Sequence, residues 1–204
     1  IGGVNPAGEY EFGSSWDMGS VFDVNIRRRF VARPILPGQL FDDNTALIDE
    51  WPQIDEDNLD RVNAEMYVRT TNDDPAGTPV YGDWNQFANA IVRGRGFQFK
   101  TLATSTNPSI NIIIDELGVE MELQLRTEQS AVLASGAGAL AVTFDYAFYQ
   151  APNIGITANN MATGDFFLIT AVTRLGFTVE FRNSAGTAVS RQFSYTAVGY
   201  GREI

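Results

Sequence analysis

The chain has no cysteine and no histidine. Without cysteine there is no disulfide framework, no thiolate nucleophile and no thiolate metal site. Without histidine a Ser-His-Asp or Cys-His relay cannot be built, and the commonest zinc and iron ligand is missing. Lysine is nearly absent as well, Lys100 being the only one. Any chemistry would rest on carboxylates, Tyr, Arg, Ser, Thr or that lysine, so the sequence reads as a non-enzyme that calls for no cofactor. No apolar run approaches the roughly 18 residues of a membrane-spanning helix, so membrane insertion is not expected. Basic charge is also scarce: the formal net charge is −11, which argues against a nucleic-acid partner, because phosphate binding needs a basic face.

What is present is the material of a folded β protein. Of 204 residues, 44% are hydrophobic and 12% aromatic, enough for a substantial core. From Ala141 to Gly201 short alternating segments are separated by Pro, Asn, Gly and Asp, the pattern of an all-β sandwich. Nothing there is long and helical. The opening Ile-Gly-Gly-Val-Asn-Pro has no initiator Met, basic region or apolar stretch. It does not read as a signal peptide, and the chain is expected to be a piece of a longer one.

Residues 1–15, rich in Gly, Pro and Ser, read as a linker or arm. The segments Trp16–Met18 and Val21–Val31 alternate as two strands. Residues 35–60 read as a long acidic loop, in which Asp42, Asp43, Asp49, Glu50, Asp55, Glu56, Asp57 and Asp60 stand with no basic residue between them. Strand signal resumes at Val62–Arg69, followed by the turn sequence Asn72-Asp-Asp-Pro-Ala-Gly. Further strands are expected over Ala90–Leu102, Ile110–Ile114 and Leu117–Leu125. The small, polar stretch from Thr127 to Gly138 reads as a boundary. Two modules follow: a jelly-roll-like sandwich over 16–130 and a compact sandwich over 139–204.

Candidate sites each have a functional and a plain reading. Asp55, Asp57 and Asp60 are candidate oxygen ligands for Ca²⁺. Counted from Asp55, however, the sixth and twelfth positions are Asp60 and Met66, where an EF-hand has Gly and Glu. A solvated loop, or one docking within the assembly, is the plain reading. Paired carboxylates also raise polysaccharide cleavage, which requires two carboxyls at a fixed separation across a rigid cleft. Arg27 and Arg29 share one strand face and Arg28 the other; they suit phosphate groups on a cell surface or, more simply, pairing with the acidic loop. Phe144, Tyr146 and Phe148 fall on one face of a strand. Phe166 and Phe167 point oppositely, so one of them leaves its own core and becomes an interface anchor in an oligomer. Tyr195, with Phe193 and Ala197, reads as core or interface. Trp51, Trp84 and Tyr81 lie near turns and are candidates for stacking on a sugar ring.

Two stretches carry a family likeness. Arg69-Thr-Thr-Asn-Asp-Asp-Pro-Ala-Gly-Thr-Pro-Val-Tyr-Gly-Asp-Trp-Asn-Gln-Phe, continued by Arg95-Gly-Phe-Gln-Phe-Lys-Thr-Leu, Ser105-Thr-Asn-Pro-Ser and Val119-Glu-Met-Glu-Leu, resembles the C-terminal region of tail-tip host-specificity (central tail fibre) proteins of lambda-like siphophages. The stretch from Val142 to Gly201, with Thr163-Gly-Asp-Phe-Phe, Thr173-Arg-Leu-Gly-Phe-Thr-Val, Asn183-Ser-Ala-Gly-Thr-Ala-Val and Tyr195-Thr-Ala-Val-Gly-Tyr-Gly, resembles their terminal domain. It is also similar to H-type lectins, six-stranded sandwiches that trimerise. The likeness spans residues 60–204.

It implies a homotrimer in the virion tail, associated with other tail-tip or baseplate proteins and meeting a host cell-surface glycan or protein. H-type lectins grip N-acetylgalactosamine with an Asp, an Arg and a His. Asp165 and Arg174 match by place, and the His has no counterpart, so that sugar site does not carry over intact. On this reading Asn159, Asn160, Asp165, Arg174, Arg182, Asn183 and Arg191 form the contact surface. The alternatives are a structural trimeric segment without receptor contact and a polysaccharide depolymerase.

Overall fold

The computed structural model describes residues 5–35, 62–108 and 110–204. The described residues contain strands and no helix, so the chain is all-β. Alternation is the cause: β12 (Gly176–Arg182) buries Phe177, Val179 and Phe181 while Thr178, Glu180 and Arg182 face the other way. The chain divides into two units. One comprises Ile1–Gly19 and Asn25–Met121, the other Ser20–Val24 and Glu122–Ile204.

The first unit is organised on a six-stranded sheet in the order β4 (Asn85–Gln86), β3 (Val62–Thr71), β5 (Asn89–Ser105), β2 (Trp16–Ile35) and β6 (Asn111–Leu123), with β1 (Ala7–Glu11) also paired to β5. Register fixes its two faces. Pairing of Met66 with Thr101 and of Val68 with Phe99 puts Met66, Val68, Phe97, Phe99 and Thr101 on one buried face. Phe87 and Phe12 add their rings there, with centroids 5.8 and 6.1 Å from that of Phe99. The opposite face carries Glu65, Tyr67 and Arg69 beside Leu102, Lys100 and Gln98.

The described residues of this unit form one sheet; the second, facing sheet that a jelly-roll-like sandwich requires is not among them. Residues 7–11 are not a linker: their backbone pairs with Thr104–Lys100 of β5, a partner more than eighty positions away that Gly- and Pro-rich composition conceals. The expected break between Met18 and Val21 is absent: one strand runs from Trp16 to Ile35, and the glycine at position 19 accommodates a local positive φ of 77° within it.

The second unit has two sheets. One holds β10 (Asn153–Asn159), β13 (Gln192–Tyr200) and β7 (Leu125–Gln129), with the two-residue β8 (Leu133–Ala134) also on β13; the other runs β11 (Phe166–Thr170), β12, β9 (Leu140–Thr143). Phe181 of one sheet meets Phe193 of the other at 5.4 Å, and Phe177 meets Tyr195 at 5.2 Å. The inner faces therefore interdigitate as a sandwich. Val142, Phe144, Phe148 and Ala197 complete this core. Burying each large side chain contributes about 1.5–3 kcal/mol.

Two expectations change here. The unit's C-terminal part begins at Glu122 and not at Ala139, because β7 pairs with β13 over Leu125–Gln129 and is part of the sandwich. Tyr146 does not share a face with Phe144 and Phe148. The strand ends at Thr143, and the turn that follows leaves Tyr146 exposed while both phenylalanines stay buried.

Candidate functional site

The end of the second unit's sandwich formed after β10 and β12 gathers most of the expected contact residues. Asn159 closes β10 opposite Gln192. Asn160 follows with a left-handed φ of 58°, a conformation Asn tolerates better than most residues. Its amide donates to the Gln192 Oε1 at 3.3 Å. The chain then loops to Asp165, whose Oδ2 accepts from the Ala162 amide at 2.7 Å and from Arg191 Nε at 2.6 Å and Nη2 at 2.5 Å.

The Asp165 side chain is 1% exposed. The Ala162 N–H and then the Arg191 guanidinium hold its carboxyl below the usual carboxylate range, against the opposing effect of desolvation. This loop abuts the turn after β12: a Cβ on Gly164 would lie 2.8 Å from the Cβ of Ser184. Within that turn the Asn183 Oδ1 accepts the amides of Ala185 at 3.0 Å and Thr187 at 2.9 Å. Arg182, opposite Phe166, donates to both oxygens of Glu180 at 3.2 Å.

Asn159, Asn160, Asp165, Arg182, Asn183 and Arg191 thus belong to one end of the unit. Arg174 does not. Seven strand residues separate it from that end, roughly 23 Å at strand rise. There it donates to Glu203 at 2.5 Å and to the Ser20 hydroxyl at 3.3 Å. Asp165 and Arg174 therefore form no common pocket within the unit. Asp165 is spent on closing its own loop, while Asn159 and Asn160 are exposed and Arg182 partly so. What this end offers a ligand is amides and guanidinium edges on a braced loop, suited to hydroxyls and carbonyls.

Trp84 belongs to the first unit, in the loop Asn72–Trp84 that folds back over the polar sheet face. Gly96 permits this, since a Cβ there would meet Pro75 at 2.6 Å and Thr71 at 2.7 Å. The Arg69 guanidinium lies 4.4 Å from the Trp84 ring and 5.3 Å from that of Tyr81, and Lys100 Nζ lies 4.8 Å from Trp84. Trp51, Asp55, Asp57, Asp60 and residues 36–60 of the acidic loop lie outside the described residues. Among the described residues, no three carboxylates converge as a metal site. Of the three arginines in a row, Arg29 pairs with Glu120 at 2.6 Å and Glu116 at 3.9 Å across to β6. Arg33, further along, pairs with Asp115 at 2.8 Å.

One polar cluster was not expected from the sequence. Glu128 accepts the Tyr195 hydroxyl at 2.9 Å and the Asp145 amide at 3.3 Å. Arg126 stacks 3.6 Å above Phe148 and donates to the Tyr146 carbonyl at 2.7 Å. Burial lowers the Arg126 pKa and, helped by Glu128, raises that of the Tyr195 phenol. The raised value keeps the Tyr195 hydroxyl protonated as the donor to Glu128, and the contacts of Arg126 and Glu128 with Tyr146 and Asp145 brace the turn at residues 144–148. Its signal was the inward spacing of Arg126 and Glu128, two apart on a strand. Comparison of the chain with protein-family models, curated proteins and solved structures finds no match.

Proposed function

We propose that this chain is a trimeric tail-tip or tail-fibre component of a virus particle that recognises and adsorbs to the host cell through a surface glycan or outer-surface receptor. The observation that carries the reading is the braced end of the second unit. The loop that follows Asn159 and Asn160 is tied down by the Asp165–Arg191 pair, and Arg182 ends β12 opposite Phe166, next to that pair. Pre-ordering lowers the entropic cost of engaging a ligand, and three copies on one axis would multiply a weak contact. A terminal domain similar to H-type lectins and a leading jelly-roll-like module belong to this proposal. So does the trimer, for which Phe166 (41% exposed) and Leu168 (42% exposed), side by side on the outer face of β11, supply apolar surface.

The test is competition. Purified chain added in excess should slow adsorption of virus particles carrying it, and Asn160→Ala with Arg182→Ala should relieve the block. Unchanged adsorption at all concentrations would overturn the reading. A second reading, a structural trimeric segment without receptor contact, has its own observation: Asp165, Arg174 and Asn183 spend their polar groups internally. It expects even the unmodified chain in excess to leave adsorption intact.

A further inference from the structure

We infer that the polar sheet face of the first unit, around Trp84, is a second ligand site, a platform for neutral saccharides. The placement of the ring is the first argument. Phe87, three residues on, enters the buried face, where Phe99, Val68 and Met66 lie. Trp84 is directed to the opposite face, whose neighbours from β3 and β5 are Tyr67, Arg69, Gln98 and Lys100, none of them buried. A tryptophan recruited for packing gains most on the apolar side. This one rests on charged groups and stays partly open to solvent.

The second argument is fixation. Arg69 donates to Gln98 Oε1 at 2.7 Å and to Glu11 Oε1 at 3.2 Å while stacked between Trp84 and Tyr81. Lys100 donates to Glu9 at 3.1 Å beneath Trp84. Tyr67 donates to Glu65 at 2.6 Å. Ring and polar groups are thus positioned before any ligand arrives.

The third argument is charge, and it selects the ligand class. Two cations, Arg69 and Lys100, face three carboxylates, Glu9, Glu11 and Glu65, and each cation already has a carboxylate partner. An anionic sugar or a phosphate would meet a net negative surface. A cationic ligand would compete with Arg69 and Lys100 for the aromatic rings. A neutral sugar suits the face: its C–H surface lies against the aromatic ring, and its hydroxyls donate to Glu11 and Gln98 and accept from Arg69.

The saccharide class deepens the adsorption reading and rests on it for biological meaning, although binding itself is measured separately. Calorimetric and NMR titration of the whole chain would use neutral oligosaccharides of glucose, galactose and mannose, with uronic- or sialic-acid-bearing oligosaccharides as the contrast. At least one neutral oligosaccharide should bind saturably, and Trp84→Ala should weaken it about tenfold. Gln98→Ala should weaken it less, and Arg33→Ala, which removes only an exposed ion pair with Asp115, should leave it unchanged. Gln98→Ala removes no ring and serves as the test if Trp84→Ala fails to fold. The inference falls if no neutral oligosaccharide binds, if acidic ones bind better, or if neither variant changes the affinity. A chain that blocks adsorption yet binds no neutral sugar retires the platform and leaves the adsorption reading standing. Binding through Trp84 without any block does the reverse.

Discussion

The two units use part of their aromatic residues differently. In the second, Phe144, Phe148, Phe177, Phe181 and Phe193 are sealed between sheets, and the polar groups are left to the loops at the strand ends. In the first, Phe97, Phe99 and Phe87 are buried, while Tyr67, Tyr81 and Trp84 lie on the other face with Arg69 and Lys100. One kind of ring holds sheets together by area removed from water. The other is held in position by cations and remains partly accessible. On the proposed reading the difference separates stability from recognition, and substitutions should divide along the same line.

Phe181→Ala should have the largest effect on stability, about 3–5 kcal/mol. Phe181 is fully buried and touches both Phe193 and Phe167. The check is a denaturant melt, with the loss falling in the midpoint at unchanged slope. Next comes Gly176→Ala: a Cβ there would sit 2.1 Å from the Val142 carbonyl oxygen, so β9 and β12 must part, and melting temperature should fall measurably.

The Asp165 carboxyl has a folded pKa below its unfolded value, so the stabilisation it supplies is complete above the ordinary carboxylate range. It is lost as pH falls through the lowered folded value. Asp165→Asn should flatten that acid limb and speed exchange of the Ala162 amide about tenfold at neutral pH. Arg69→Met should cost only about 0.5–1 kcal/mol, the scale of a partly exposed cation–π contact, while loosening Trp84. Arg33→Ala, which removes an exposed ion pair with Asp115, should fall within about 1 kcal/mol of zero.

The all-β character was legible because alternation is local. Phe177, Val179 and Phe181, or Phe193, Tyr195 and Ala197, reveal an inward face without knowledge of the partner strand. What depends on distant partners was not legible. Residues 7–11 form a strand because β5 lies beside them, and Leu125–Gln129 joins the sandwich because β13 does. Likewise Asp165 looked like a ligand group by its place in a loop. Only the fold brings Arg191, twenty-six positions on, into contact and consumes it. Trp84 was singled out by its turn, but nothing in its neighbours along the chain indicates Arg69 and Lys100 as its supports.

The central claim, that this is a three-fold surface-binding module, is tested most directly by the mass of the purified chain in solution, measured by light scattering after size exclusion. The account expects three times the 22.4 kDa of one chain, falling to one chain's mass in Phe166→Glu with Leu168→Glu, which charge the exposed outer face of β11. A stable monomer of the unmodified chain at micromolar concentration would contradict it.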